Sequence, residues 1–139
     1  MYLDLDNYLL GCFNDDYWYD EGCLIAHEMM LKFDNADWLQ LQNEMLMKDA
    51  DWQEKLAYSI EEDCGKEGLM VLLKLLESTD DDVLVTSIDA LRSFQIEKYR
   101  KIISAQPNIV EIVRRLHDKA GLPVKGILED FLVKSIQLY

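Results

Sequence analysis

A repeated apolar spacing constrains this chain more than any other feature. Leu69, Leu72, Leu73 and Leu76 fall at i, i+3, i+4 and i+7, and Ile109, Ile112, Val113 and Leu116 repeat the pattern. Val124, Ile127, Leu128 and Phe131 repeat it again, and Leu84, Ile88 and Leu91 approximate it. Trp52, Leu56 and Ile60 mark a fourfold stripe, and Trp38, Leu41 and Met45 a less regular one. Such a stripe lies along one face of a 3.6-residue helix, whereas a half-buried strand alternates with period 2. The spacing therefore predicts helices almost everywhere after the first twenty residues, and an all-α fold.

The punctuation between the stripes agrees. Asp34 or Asn35 can cap a helix over about 36–48, Asp49 or Asp51 one over 51–63, and Thr79 or Asp80 one over 81–95. Gly65 interrupts the chain at a helix end, Pro107 can open a helix at its first turn, and Gly121-Leu122-Pro123 precedes a last helix to about Gln137. Helix starts near 36, 51, 66, 81, 107 and 123 are mostly about 15 residues apart, so consecutive helices should form antiparallel pairs repeating at about 30 residues. Gly68-Leu69-Met70-Val71-Leu72-Leu73-Lys74-Leu75-Leu76, followed by Asp80-Asp81-Asp82-Val83-Leu84-Val85-Thr86-Ser87-Ile88-Asp89-Ala90-Leu91, resembles the HEAT and armadillo pattern. There a Leu-rich second helix passes through an acidic turn into the next unit. The resemblance covers about residues 51–95, without the usual Arg and Pro. It implies an α-solenoid, and a compact helical bundle gives the same signals. Either way, residues 1–139 are expected to form a single helical domain.

Charge is segregated along the chain. The net charge is −13. Residues 1–69 hold 17 Asp and Glu against 4 Lys, whereas residues 70–139 hold 10 acidic and 10 basic side chains. A field of that sign repels nucleic acid and anionic membrane and attracts basic partners. Met1-Tyr2-Leu3-Asp4-Leu5-Asp6 lacks the features of a secretory signal, and no apolar run approaches the roughly 20 residues that span a bilayer. A cytoplasmic location is expected. Three cysteines, Cys12, Cys23 and Cys64, with no C-x-x-C pair, indicate neither a disulfide framework nor a zinc ribbon.

Catalytic and metal patterns are weak. Asp4-Leu5-Asp6 has the D-x-D of phosphatases that form an aspartyl intermediate, but not the preceding strand or the following Thr or Val. Asn14-Asp15-Asp16 and Asp20-Glu21 do not match the register of a calcium loop. Cys23 and His27 share a helical face and can offer two zinc ligands, with Cys12 or Cys64 completing a set, although a core cysteine beside a satisfied histidine is the expected arrangement. There is no G-x-S-x-G, P-loop or G-x-G-x-x-G. The chain is not expected to be an enzyme or to need a metal or cofactor.

The distinctive segment is Asn14-Asp15-Asp16-Tyr17-Trp18-Tyr19-Asp20-Glu21, three aromatics between two acidic pairs. Neighbours on a helix diverge by about 100°, so the three cannot all face one core, and at least one should be exposed. Tyr and Trp give rigid contact area, and carboxylates pair with Arg and Lys. A second run, Glu61-Glu62-Asp63, is expected in the last turn of the helix from Asp51, where it opposes the macrodipole and serves something other than stability. Asp15, Asp16, Tyr17, Trp18, Tyr19, Asp20, Glu21, Glu61, Glu62 and Asp63 are the candidate partner-binding residues.

A small, acidic helical protein with aromatics among carboxylates resembles the HEAT-like immunity proteins of bacterial contact-dependent growth inhibition and other polymorphic toxin systems. The resemblance is one of class, size and charge. It implies that the chain neutralises a cognate toxin, typically a basic nuclease, by covering its active or substrate-binding surface. A HEAT-like adaptor bridging endogenous proteins would instead expose an apolar groove, and a DNA mimic would space its acids as in a duplex.

Overall fold

The computed structural model describes residues 1–136, and every regular element among them is helical. In chain order the helices are α1 (Tyr2–Leu9), α2 (Asp15–Tyr17), α3 (Cys23–Leu31), α4 (Asn35–Glu44), α5 (Ala50–Tyr58), α6 (Gly65–Leu75), α7 (Asp81–Leu91), α8 (Glu97–Ser104), α9 (Ile109–Lys119) and α10 (Leu122–Ser135). A π turn over Trp18–Gly22 joins α2 to α3, and 3-10 turns cover Met45–Met47 and Glu62–Cys64.

Carboxylates open the helices as their spacing suggested. Asp34 accepts from the Asp37 amide at 2.9 Å while Asp37 accepts from the Asp34 amide at 3.1 Å, a reciprocal capping box. Asp49 accepts from the Trp52 amide at 2.9 Å, and Asp80 from the Val83 amide at 3.1 Å. α9 starts two residues beyond Pro107, and α10 carries Pro123 in its first turn. The expected end of the last helix near Gln137 lies outside the described residues.

The helices pack as a compact bundle. Through its middle, alternate helices stack in two layers, α3 on α5 on α7 and α4 on α6 on α8, as the repeat-like segment suggested. The ends depart from a solenoid: α1 packs on α3, α4 and α5 together, and α10 packs on α7 as well as α8 and α9. The apolar stripes meet in one core. Leu69, Leu72, Leu56, Ile88, Val113 and Phe131 are all buried, each such side chain contributing roughly 1.5–3 kcal/mol by leaving water. Trp52 is buried too, and its indole N–H donates to Asp6 Oδ1 at 3.0 Å. Asp6 also pairs with Lys48 at 3.1 Å, so it ties α1 to the start of α5. No helix among the described residues is long and apolar enough to cross a membrane.

Two departures matter for the site. The helix expected over 51–63 stops at Tyr58, and the backbone is extended at Glu61 before the Glu62–Cys64 turn. Glu61, Glu62 and Asp63 are therefore not in a last helical turn, and the macrodipole argument against them does not apply. Glu62 has a structural use. Its carboxylate accepts from the Ile96 amide at 3.0 Å and from the Gln95 amide, just before α8. The N-cap of α8 is Ile96, which has no side-chain cap bond of its own, so Glu62 supplies the negative charge favoured at that helix start.

Candidate functional site

The aromatic trio divides as its spacing required. Trp18 is 5 % exposed, Tyr17 is half-buried and Tyr19 is 47 % exposed. The π turn sets this division. The Cys23 amide reaches back five residues to the Trp18 carbonyl, and the Trp18 ring lies over Gly22, where a Cβ would come within 2.6 Å of Cε3. Gly22 thus lets the indole fold inward while the next residue points out. Phe13 stacks between Tyr17 and Trp18 at ring-centroid distances of 5.5 and 5.6 Å.

Tyr19 meets Tyr58 of α5 edge to face, with centroids 4.9 Å apart, and Tyr58 is 40 % exposed. The pair forms a ridge between two clefts. One, of about 360 Å³, is bounded by Cys23, His27, Glu61, Thr86 and Asp89. The other, of about 420 Å³, is bounded by Phe13, Asp15, Trp18, Asp51, Glu54 and Lys55. Carboxylates from α2, α5, α7 and the Glu61 segment thus surround two exposed phenols.

The local field registers that crowding. Glu54 is held above the ordinary carboxylate range by burial and then by the charges of Asp82, Asp51, Asp80 and Asp15. The Tyr58 phenol is raised by burial, by Cys23 and Tyr19, and by Asp89 and Asp20. Tyr19 is raised by burial and by Glu54, Asp15 and Asp51. Lys55 neutralises one of these acids, Asp51, and is otherwise held inward. Its ammonium donates to the Gly11 carbonyl at 3.1 Å, pairs with Asp51 at 2.9 Å and lies over the Phe13 and Trp18 rings.

Of the residues singled out in the sequence, Asp15, Trp18, Tyr19, Asp20 and Glu61 gather at this ridge and its clefts. Asp16 and Glu21 are exposed and line neither cleft. Glu62 faces α8, and Asp63 turns to His27, its Oδ1 2.9 Å from Nε2. Asp51 read only as a possible helix cap, and Glu54 and Tyr58 stood outside every motif, although the three repeat at i, i+3 and i+7 on the face of α5 opposite the Trp52, Leu56 stripe. Asp80 read as a cap and Asp82 as part of the acidic turn of the repeat-like segment, yet Asp80 caps α7 and also joins Asp82 in the charge around Glu54.

Below the ridge, His27 is 9 % exposed. Its Nδ1 donates to the Ser59 carbonyl at 2.8 Å, and Cys64 Sγ lies 3.7 Å from that nitrogen. Burial lowers the affinity of His27 for a proton, but its hydrogen bonds to Asp63 and Ser59 outweigh burial and raise it overall. Cys64 is the thiol whose sulfur lies against a ring nitrogen of His27. Cys23 donates to the Tyr19 carbonyl at 3.4 Å, and Cys12 is exposed. Burial pushes the Cys64 thiol up to about 11. Compared with protein-family models, with curated proteins and with solved structures, the chain matches none.

Proposed function

We propose that this protein binds a basic protein partner across the two clefts flanking Tyr19 and Tyr58, and that the partner is a cognate toxin domain for which the chain serves as immunity protein. One observation carries the reading: two exposed, mutually packed phenols stand among carboxylates from separate helices, while the nearby Lys55 is turned inward. Burial and then the charges of neighbouring acids hold the Glu54 carboxyl above the ordinary range, and an incoming cation relieves that repulsion, which favours docking of Arg or Lys. Complementary charge raises association rates toward ~10⁸–10⁹ M⁻¹s⁻¹ at low salt, and buried aromatic anchors slow dissociation. Both suit capture of a lethal partner. Acids at fixed separations also substitute for the phosphates that a nuclease recognises.

The adaptor reading keeps one observation of its own. An open groove of about 810 Å³ between α1 and α3 is bounded by Met1, Tyr8, Ile25 and Met29, with Asp4, Glu28 and Lys32 at its edges. An endogenous partner would dock there through apolar contacts.

Co-expression with the product of the neighbouring gene tests the proposal. The expected result is that the neighbour alone arrests growth, that this chain restores it, and that the two co-purify. Replacing Asp15, Asp20, Asp51 and Glu54 with Asn or Gln should slow association and flatten its salt dependence. A complex indifferent to salt and to these changes, yet lost on altering Ile25 and Met29, would overturn the acidic interface in favour of the adaptor.

A further inference from the structure

His27 and Cys64 are 37 residues apart, so no local spacing marks them as a pair. The fold brings them together with Asp63. The three side chains each offer a ligand atom within 4.8 Å of the others.

The hydrogen bond to Ser59 fixes the state of the imidazole. A carbonyl oxygen only accepts, so Nδ1 at 2.8 Å carries the hydrogen. In a neutral ring, Nε2 then presents a bare lone pair. That lone pair would face the Asp63 carboxylate, whose oxygens lie 2.9 and 3.1 Å away, and Glu61 Oε2 at 3.9 Å. Acceptors do not approach so closely without positive charge between them. A proton on Nε2 satisfies that approach, and a metal ion in its place would do so too. An Nδ1–H held by a backbone carbonyl, with Nε2 turned toward carboxylates, is the outer arrangement that orients a metal-ligating histidine.

We propose that His27 Nε2, Asp63 and Cys64, with Glu61 as fourth ligand, form a binding site for a zinc-class divalent cation beside the Tyr19–Tyr58 ridge. Imidazole, thiolate and carboxylate donors together favour a borderline-soft ion over calcium or magnesium, which take oxygen ligands alone. Metal–ligand bonds of roughly 2.0–2.3 Å in a tetrahedron put donor atoms about 3.3–3.8 Å apart. Cys64 Sγ has the furthest to move, because its 3.7 Å contact is with Nδ1 and not with Nε2. Binding releases the Cys64 thiol proton, and the Nε2 proton of the imidazolium, to solvent.

The turn carrying three of the ligands is built to hold them. Gly65 has a φ of 72°, a left-handed conformation that favours glycine. Gly68 leaves room for the turn, since a Cβ there would come within 2.6 Å of Cys64 Cβ. Glu62, between two ligands, is anchored the other way, on the amides before α8. The site clips α3 to the connection between α5 and α6, and it stands or falls independently of any toxin.

The test uses the full chain, freed of metal by a chelator, reduced, and titrated with zinc, cobalt or calcium. One zinc ion per chain should bind, zinc should raise the melting temperature, and calcium should not. Cobalt should give a thiolate charge-transfer band and d–d bands of tetrahedral intensity. Cys64→Ser should abolish the charge-transfer band, Asp63→Asn should weaken zinc binding by about tenfold or more, and Cys12→Ser should change neither. Absence of the cobalt spectrum from the unaltered chain, or equal stabilisation by zinc and calcium, would overturn the site and leave a proton on Nε2. The unaltered protein alone decides this, whatever the folding of the variants.

Discussion

The phenol rings of Tyr19 and Tyr58 meet edge to face at 4.9 Å between centroids, and both remain substantially open to solvent. One comes from a π turn whose geometry Gly22 permits, the other from the outward face of α5. An edge-to-face pair is worth roughly 0.5–1.5 kcal/mol beyond the area it buries. That is enough to hold two aromatics in register at the surface. A pair so ordered pays less entropy when a partner covers it.

Replacing Tyr58 with Ala should therefore act on binding more than on folding. Loss of an ordered aromatic anchor should cost about 2–4 kcal/mol of partner affinity, mostly as faster dissociation. Stability should fall by the roughly 0.5–1.5 kcal/mol of the ring pair plus the transfer free energy of the part of Tyr58 that is buried. Surface plasmon resonance and thermal melting separate the two. A loss of folding with unchanged partner kinetics would assign the pair to the scaffold alone.

Glu54→Gln should stabilise the free protein at neutral pH. The Glu54 carboxyl is raised by burial and by Asp82, Asp51, Asp80 and Asp15. A raised carboxyl binds its proton more tightly in the folded state, so its contribution is fully present below the ordinary carboxylate value. That contribution is lost as pH climbs through the folded value. The variant should melt higher than the parent near pH 7, and the gap should close below about pH 4. A gap independent of pH would mean that packing, not charge, is responsible.

The sequence disclosed what local chemistry determines and missed what the fold assembles. Apolar stripes and Asp caps placed α4 to α7, α9 and α10 because each signal lies within a few residues of its effect. α8 stayed hidden. Its inward residues are Tyr99 and Ile103, in a charged stretch, and its capping charge comes from Glu62, 34 residues away from Ile96. α1 was masked by Leu3-Asp4-Leu5-Asp6, which alternates like a strand although Tyr2, Leu5 and Leu9 are the buried positions. That at least one of Tyr17, Trp18 and Tyr19 would be exposed followed from helical divergence, whereas the π turn and Gly22 decide which one. The convergence of Asp15, Glu54 and Asp82, like that of His27 and Cys64, depends on contacts that no periodicity records.

Arg92 joins two helices through charge. It binds Asp89 on its own helix and, at 2.7 Å, Asp130 of α10, which Lys134 also approaches at 3.1 Å. Arg92 and then Lys134 hold the Asp130 carboxyl below its ordinary value. A lowered carboxyl contributes stability above the unfolded value and loses it as pH falls through the folded one. Asp130→Asn should lower the melting temperature near pH 7, with the difference smaller at a pH below the ordinary carboxylate value of about 3.9 and in high salt. Equal losses at both pH values would trace the effect to packing of α10 instead.

Two glycines on helices should respond to alanine in opposite directions. At Gly68 in α6, an added Cβ would meet Cys64 Cβ at 2.6 Å and Ile60 Cγ2 at 3.1 Å. A Cβ is fixed by its own backbone and cannot swing aside, so the Glu62–Cys64 turn would have to move. Overpacking of this kind costs about 1–3 kcal/mol. Gly126, exposed in the interior of α10, has nothing within 4 Å of its added Cβ. There alanine only removes freedom from the unfolded chain, a gain of about 0.5–1 kcal/mol. Thermal melts should show Gly68→Ala below the parent and Gly126→Ala above it. Gly68→Ala should also disturb His27, because displacing Cys64 and Asp63 alters both of its neighbours, a change visible in the imidazole proton resonances. If Gly68→Ala melts like the parent with those resonances in place, the turn is not held by close packing on α6.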